Sequence, residues 1–197
     1  MATRLYLQST GSAPFSPAAA DGGWEVNSAA LVYRNMRTTK ANTALTTLSS
    51  TPGGTSTQQY RYGCFVSDTL ASAQTISGTF SLVIGKCAET STGGDAHLAF
   101  TLRVVDGTTG AHKATLASVM ATSSEFPLMA AAATRIHSAV AVTSYAAAAG
   151  DRLVLEIGVH GVTPAAEVMQ MRIGDPTGSA DFALTAGLTT DLCPCFA

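Results

Sequence analysis

Two glutamates, Glu156 and Glu167, are the residues of this chain most open to a catalytic interpretation. They fall on neighbouring predicted strands, and glycoside hydrolysis needs two carboxyl groups about 5 to 10 Å apart in a cleft. A position on the outward face of a sheet explains both residues without any reaction, because charged side chains ordinarily occupy solvated strand faces. We therefore expect both carboxylates on an outward face and predict no catalytic residue.

Cysteine and aspartate supply the two patterns that could hold a metal ion. Cys193-Pro-Cys195 brings two thiols together, but zinc normally takes four ligands and the four histidines show no grouping with this pair. Three aspartates gather in the last part of the chain, at a spacing that matches no calcium loop: Asp175, Asp181 and Asp191. We predict no metal site, and we expect Cys64 and Cys87 to be small buried residues with free thiols.

Motifs of covalent, phosphate or dinucleotide chemistry do not occur in the sequence. There is no G-x-S-x-G elbow, no G-x-x-x-x-G-K-[ST] loop, no G-x-G-x-x-G turn and no H-E-x-x-H pair. Ser and Thr are so frequent that a Ser/His/Asp triad can be imagined almost anywhere, which gives such a triad little weight. We predict that the protein is not an enzyme and needs no cofactor.

Aromatic side chains suggest a different kind of function. If Trp24, Tyr33, Tyr60 and Tyr62 are exposed, their rings could stack on sugars. The alternative function is therefore that of a carbohydrate-binding module.

Charge is scarce in this chain of 197 residues. Only 12% of the residues are charged, against roughly 25% in a usual soluble domain, while 46% are hydrophobic. A surface of Ser, Thr, Gly and Ala loses little side-chain entropy and no full charge on contact, which favours a subunit that packs against others. Biased codon usage in a GC-rich genome explains the same composition equally well.

The charge balance also limits the partners. The net charge is −2 and the 11 basic residues are scattered, so we expect no nucleic-acid partner. The longest apolar runs are short alanine stretches, far below the roughly 20 residues that span a membrane. The first residues show no basic stretch followed by a long apolar core, so we expect synthesis in a cytoplasm without a signal peptide.

The elements that must position these residues are short alternating strands between about Ile76 and Ile173. Large apolar residues recur at every second position, the period that half-buries a strand. The apolar sets are Ile76, Phe80, Leu82 and Ile84; Leu98, Phe100, Leu102 and Val104; Ile136, Val140 and Val142; Leu153, Leu155, Ile157 and Val159; and Met169, Met171 and Ile173. Arg135, His137 and Thr143 are expected to face the other way on the third of these strands.

Turns and prolines divide the rest of the chain. Asp106-Gly107 predicts a hairpin to a strand near 113–120, and Leu128 to Thr134 is the best short helix candidate. The polar span from Thr38 to Gln59 is typical of an exposed loop or assembly arm. We expect residues 1–59 to form an extended N-terminal arm and loop region with short strands, and residues 60–197 a β-sandwich, within one structural domain overall. The fold class is all-β, an antiparallel, jelly-roll-like sandwich; a closed barrel fits the alternation as well.

Several stretches in one order resemble tailed-bacteriophage β-sandwich virion structural proteins, which share a D-R-L-V-x-E-I-G strand, a G-D turn and a D-L-N-P-W tail. The strand is matched by Gly150-Asp-Arg-Leu-Val-Leu-Glu-Ile-Gly158 and the turn by Gly174-Asp175, within a likeness over about residues 60–195. The tail here is Asp191-Leu-Cys-Pro-Cys195, with cysteines where Asn and Trp are usual.

The resemblance implies a non-enzymatic structural protein of a bacteriophage virion, on the capsid or tail surface. The low charge and the polar segment from Thr38 to Gln59 predict that it contacts other virion proteins and copies of itself, as a trimer on a fibre or as a symmetric set on a capsid lattice. On the alternative, the carbohydrate-binding or host-receptor-recognition module belongs to a tail or head fibre and binds a host surface glycan. We expect the two ends of the chain to carry these contacts, since prolines pre-set the extended shape of the arm. The expected interface residues are Leu5, Tyr6, Pro14, Phe15, Pro17, Trp24, Leu192, Pro194 and Phe196.

Overall fold

The fold is described by a computed structural model for residues 5–20, 23–39, 46–50, 56–91, 93–161 and 168–173. These residues form ten strands and one 3-10 turn at Met129–Ala131. The strands are β1 (Tyr6–Ser12), β2 (Val26–Arg37), β3 (Thr46–Ser50), β4 (Gln58–Ser67), β5 (Gln74–Glu89), β6 (His97–Val105), β7 (His112–Val119), β8 (Ala133–Ala147), β9 (Arg152–Gly161) and β10 (Met169–Ile173). No helix in these ranges is long and apolar enough to cross a membrane.

The strands form two sheets, of six strands in the order β1-β2-β4-β9-β6-β7 and of four in the order β3-β10-β5-β8. Four antiparallel pairs are nested in the chain: β3 with β10, β4 with β9, β5 with β8, and β6 with β7. One long hairpin folded across two sheets gives this order, which is that of a jelly roll. The predicted all-β sandwich is confirmed.

The core lies between the two sheets. The apolar residues of β6, β9 and β10 that share a predicted face all lie in it, and so do Phe80 and Leu82 of β5. Phe80 meets Phe100 edge to face across the sheets, with ring centroids 5.5 Å apart. The hairpin at Asp106-Gly107 is also confirmed, because β6 pairs with β7 directly across it.

Strand β8 departs from the predicted alternation. Ile136 points outward and is 36% exposed, whereas His137 places its ring edge on Phe100 in the core. The cause is a β-bulge: three steps on β8 oppose two on β5, Ala139 takes a φ of 57°, and its N–H donates to Ser81 Oγ at 3.3 Å. A bulge reverses which residues face inward, so the assignment of Ile136 to the core was wrong.

The first part of the chain belongs to the same two sheets. β1 and β2 extend the six-stranded sheet and β3 lies in the other, so the expected division at residue 60 does not separate two sheets. β2 and β4 are parallel neighbours because the chain crosses to the opposite sheet at β3 between them. β3 also corrects the interpretation of Thr38 to Gln59 as an exposed loop, since Leu48 is buried in the core.

Candidate functional site

A segment that we call the strap, residues 13–20 and 23–24, lies on the outward face of the six-stranded sheet. It has no regular secondary structure, and Pro14 and Pro17 keep it from forming a helix. Phe15 packs on a small cluster of buried residues on this face, formed by Cys64, Val66, Val105 and Val154. The strap therefore converts an outward face of the sheet into a second buried layer.

Three charged side chains of neighbouring strands meet beneath the strap. Glu156 of β9 is fully buried between Arg61 of β4 and Arg103 of β6. Its Oε1 accepts from Arg61 Nη1 at 2.6 Å and from Arg103 Nη2 at 3.0 Å. Both guanidinium groups are also buried, so this triad holds a net positive charge inside the protein.

The strap supplies three further hydrogen bonds to the triad, two to Glu156 and one to Arg103. Glu156 Oε2 accepts from the Ala20 N–H at 3.2 Å and from Trp24 Nε1 at 3.1 Å. Arg103 Nη2 also donates to the Ala18 carbonyl. A carboxylate that already accepts four hydrogen bonds has no lone pair directed at a substrate.

Two residues of β2 hold Arg61 of the triad in place. Arg61 Nε donates to Asn27 Oδ1 at 3.0 Å, and Arg61 Nη2 donates to the Tyr33 hydroxyl at 3.2 Å. The guanidinium carbon also lies 5.8 Å from the centroid of the Tyr33 ring, within cation–π range. Arg61 is thus fixed by neutral acceptors besides the single carboxylate.

Gly158 creates the space that Trp24 occupies. A Cβ at this position would lie 2.6 Å from Trp24 Cζ3 and 1.9 Å from the Tyr60 carbonyl oxygen. Both distances are too short for any side chain, and the second involves backbone that cannot swing away. Glycine at 158 is therefore required for the strap to close over β9.

The triad corrects the prediction for Glu156. The side chain does lie on the face opposite the core residues of β9, but that face is covered by the strap and is not solvated. Burial of a carboxylate is tolerated only with paired charges and satisfied hydrogen bonds, which the two arginines and the strap provide. Glu167 lies outside the described residues, and so do the cysteine pair and the three aspartates at the end of the chain.

The two described cysteines are buried with free thiols, as predicted. Burial raises the pKa of Cys64 to about 12, and the negative charge of nearby Glu156 acts in the same direction. Burial also raises the pKa of Cys87 to about 12. Neither thiol is a nucleophile at neutral pH, because the thiolate is the reactive form. In the described part of the chain, no cluster of three or more His, Cys, Asp or Glu is placed to hold a metal ion.

The residues of the 151–158 stretch, on which the resemblance to virion proteins rests, have structural roles in this fold. Asp151 is buried and accepts from Lys113 Nζ at 2.6 Å, while Arg152 donates to the Ser67 carbonyl at 2.7 Å. The three apolar residues at 153, 155 and 157 fill the core, and Glu156 and Gly158 hold the strap. The stretch ties four parts of the fold together.

The arginines of the triad were missed at the sequence level. A signal was present: Arg61 and Arg103 are the only Asp, Glu, Lys or Arg residues within β4 and β6, and Glu156 is the only acidic residue within β9. Isolated opposite charges in strands of that kind favour a buried pair, since such residues are almost never fully buried unless paired. The strap itself could not be placed, because Trp24 and Glu156 are 132 residues apart.

The residues of the N-terminal arm that were predicted to form an interface belong to the same fold as the two sheets, and two of them pack against its buried clusters. Leu5 packs against the core and Phe15 against the smaller cluster beneath the strap. Pro17 is buried, Pro14 is exposed, and Tyr6 is half-buried on β1. Leu192, Pro194 and Phe196 lie outside the described residues.

The aromatic residues proposed as a sugar platform are not available for stacking. Tyr60 and Tyr62 are buried in the core, which corrects that prediction. Trp24 and Tyr33 are half-buried and committed to the triad. An exposed aromatic surface does not exist at these four positions.

The outward face of the β5–β8 pair, which we call the bare face, contrasts with the strapped one. Its exposed side chains include Thr79, Ile136, Ala141 and Thr143. No Asp, Glu, Lys or Arg occurs between positions 74 and 85 of β5 or between positions 136 and 147 of β8. This long surface carries no fixed charge.

No protein-family model matches this chain, and no curated protein matches it. Among solved structures, a CocE/NonD family hydrolase from Staphylococcus aureus is similar over 88% of this chain, with a TM-score of 0.48 and 9% sequence identity. The chain covers 34% of that hydrolase, about one third of its length. A likeness of this degree bears on neither the activity nor the partners of this protein.

Proposed function

We propose that this protein is a non-enzymatic structural subunit of a tailed-bacteriophage virion, on the capsid or tail surface. It acts through contacts with copies of itself and with other virion proteins. The observation that carries the proposal is the bare face, a strand pair of 16 and 15 residues with no charged residue along most of its length.

The chemistry of the bare face favours a second copy of this chain as its partner. A face of Thr, Ser, Ala and Ile removes no full charge from water on contact, so little desolvation opposes association. It also carries no charge that would repel an identical face or require an oppositely charged one. Self-complementarity of this kind suits the isologous contacts of symmetric assemblies.

The Glu156 triad supports the same conclusion from the opposite side of the sandwich. The carboxylate that could have been catalytic is occupied by the strap and two arginines. This arrangement makes a rigid layer rather than a reactive cleft.

The experiment introduces one charge into the bare face. Purified full-length protein should sediment as a homo-oligomer, and Ala141→Glu should shift it toward monomer because a carboxylate is then buried without a partner. Thr108→Glu, in the exposed turn after β6, is the matched control and should leave the mass unchanged.

A second experiment uses particles of the parent phage. Quantitative mass spectrometry should find the protein as a stoichiometric virion component, and particles from a phage that encodes Ala141→Glu should lack it. A monomeric wild type together with absence from particles would contradict the proposal.

A further inference from the structure

A polar cleft opens at the outer edge of β8, beside the bare face. Its volume is about 290 Å³, near the lower end of small-molecule pockets and equal to roughly ten water molecules. Its polar lining comes from the chain before the 3-10 turn and from the start of β8: Thr122, Ser123, Ser124, Thr134, Arg135 and His137.

The walls of this cleft are held in place without a ligand. The Thr122 N–H donates to the Leu98 carbonyl at 3.0 Å, and the Thr122 carbonyl lies 2.7 Å from His97 Nδ1. Arg135 Nη2 donates to the Glu125 carbonyl, which ties β8 to the same segment. The β8 bulge turns Arg135 and His137 toward this side of the strand.

Several polar groups of the lining have spare hydrogen-bonding capacity. Thr122 Oγ1 and Arg135 Nε are buried and have no hydrogen-bond partner within the described part of the chain. Buried polar atoms of this kind indicate an ordered water or a ligand. β8 is an edge strand in the described sheet, so the backbone groups of residues 134–137 that do not pair with β5 point toward the open edge beside the cleft.

The mixture of donors and acceptors determines the class of ligand. Arg135 is a donor only, whereas the hydroxyls and the strand edge both donate and accept. A phosphate ion near neutral pH carries one or two hydroxyls of its own, but it has no C–H surface to place against the apolar part of the lining. A ring that carries several hydroxyls and one carboxylate matches both kinds of group, and Ile136 supplies an apolar wall for its C–H groups.

We propose that this cleft binds the uronic-acid unit of an acidic polysaccharide, with the carboxylate on Arg135 and ring hydroxyls on Ser123, Ser124 and Thr134. A single sugar unit fits the volume, and one guanidinium balances its one charge. The site needs neither the predicted aromatic platform nor the virion assignment, so it stands or fails separately from the proposed role in assembly.

Saturation-transfer NMR on the full-length protein tests the proposal, because it is not limited by the size of an oligomer. Sodium D-glucuronate should receive saturation, while D-glucose, which has CH₂OH in place of the carboxylate, should bind at least about tenfold more weakly. Inorganic phosphate at equal concentration should fail to displace glucuronate. Equal binding of glucose, displacement by phosphate, or no glucuronate signal would each overturn the proposal.

Three variants locate the site. Arg135→Gln should weaken glucuronate binding at least about tenfold, and Arg37→Gln, at an exposed arginine of β2, should not change it. Because Arg135 is partly buried, Ser123→Ala/Ser124→Ala provides a second test at two exposed positions that the fold does not need. Unchanged affinity in this double variant would overturn the assignment even if Arg135→Gln failed to fold.

Discussion

The two outward faces of the sandwich show opposite solutions to the problem of covering a sheet. The face of the six-stranded sheet carries two arginines, a glutamate and the small apolar cluster, and the chain's own strap closes over it. The face of the β5–β8 pair carries hydroxyls, alanines and Ile136, and within the described residues nothing covers it. Charge appears where the chain supplies its own fixed partners, and it is absent along most of the face that the strap does not cover.

This difference has an energetic basis. Buried ions require partners at fixed distances, which an intramolecular strap can provide with geometry set during folding. A face that forms contacts between molecules avoids that requirement by carrying no ions. The strapped face is thus part of the folding of one subunit, and the bare face is the one suited to assembly.

The largest effect is expected at the centre of the strapped face. Glu156→Gln keeps the size of the side chain but leaves two buried guanidinium groups without a counter-charge. We expect a loss of about 3 to 5 kcal/mol in the free energy of unfolding, measured with urea. Glu125→Gln, at an exposed glutamate, is the control and should change it by less than about 0.5 kcal/mol.

The strap should respond to a smaller change. Trp24→Phe keeps most of the ring on Gly158 but removes the N–H that Glu156 accepts, so we expect a loss of about 1.5 to 3 kcal/mol. Limited proteolysis should then cut within residues 13–24 faster than in the wild type. A strap that is cut at the wild-type rate would show that the indole hydrogen bond does not hold it.

On the bare face, two positions of β8 can be compared with each other. In the monomeric Ala141→Glu background, where no second copy covers the face, Ile136→Thr should change stability by less than about 0.5 kcal/mol, since this side chain faces outward. Val140→Thr introduces the same hydroxyl on the inward side of the bulge and should cost about 1 to 3 kcal/mol. Similar costs for both variants would refute the register of β8.

The smallest effect concerns the turn between β6 and β7. The backbone N–H groups of Thr109 and Thr108 hold the pKa of Asp106 at about 2, below its ordinary value of 3.8. Because the folded-state pKa is lowered, the contribution of Asp106 is complete above about pH 4 and is lost as the pH falls toward 2. NMR titration of the Asp106 carboxyl carbon should show a midpoint near pH 2, and a midpoint at the ordinary value of 3.8 would contradict this assignment.

Much of this contrast follows from the sequence. β6, β9 and β10 alternate without interruption, so their core residues could be assigned from period alone. β8 could not be assigned, because its bulge depends on a hydrogen bond from Ala139 to Ser81, 58 residues away. A residue such as alanine gives no sign that it adopts a positive φ.

The candidate sites were less accessible to prediction than the core. The role of Glu156 depends on a strap that is distant in the chain, and an outward position on a strand normally means solvent. The cleft depends on the side of β8 toward which Arg135 points, and the bulge determines that side. Long-range contacts and local irregularities, rather than residue types, determine both sites.

Hydroxyl-radical footprinting of the assembled protein tests the central claim, that the bare face is the contact between copies, most directly. Oxidation of Ile136 in the wild-type oligomer should fall severalfold below that in Ala141→Glu under the same conditions, while Trp24 on the strapped face should be oxidised equally in both. Equal oxidation of Ile136, or protection of Trp24 in its place, would contradict the account.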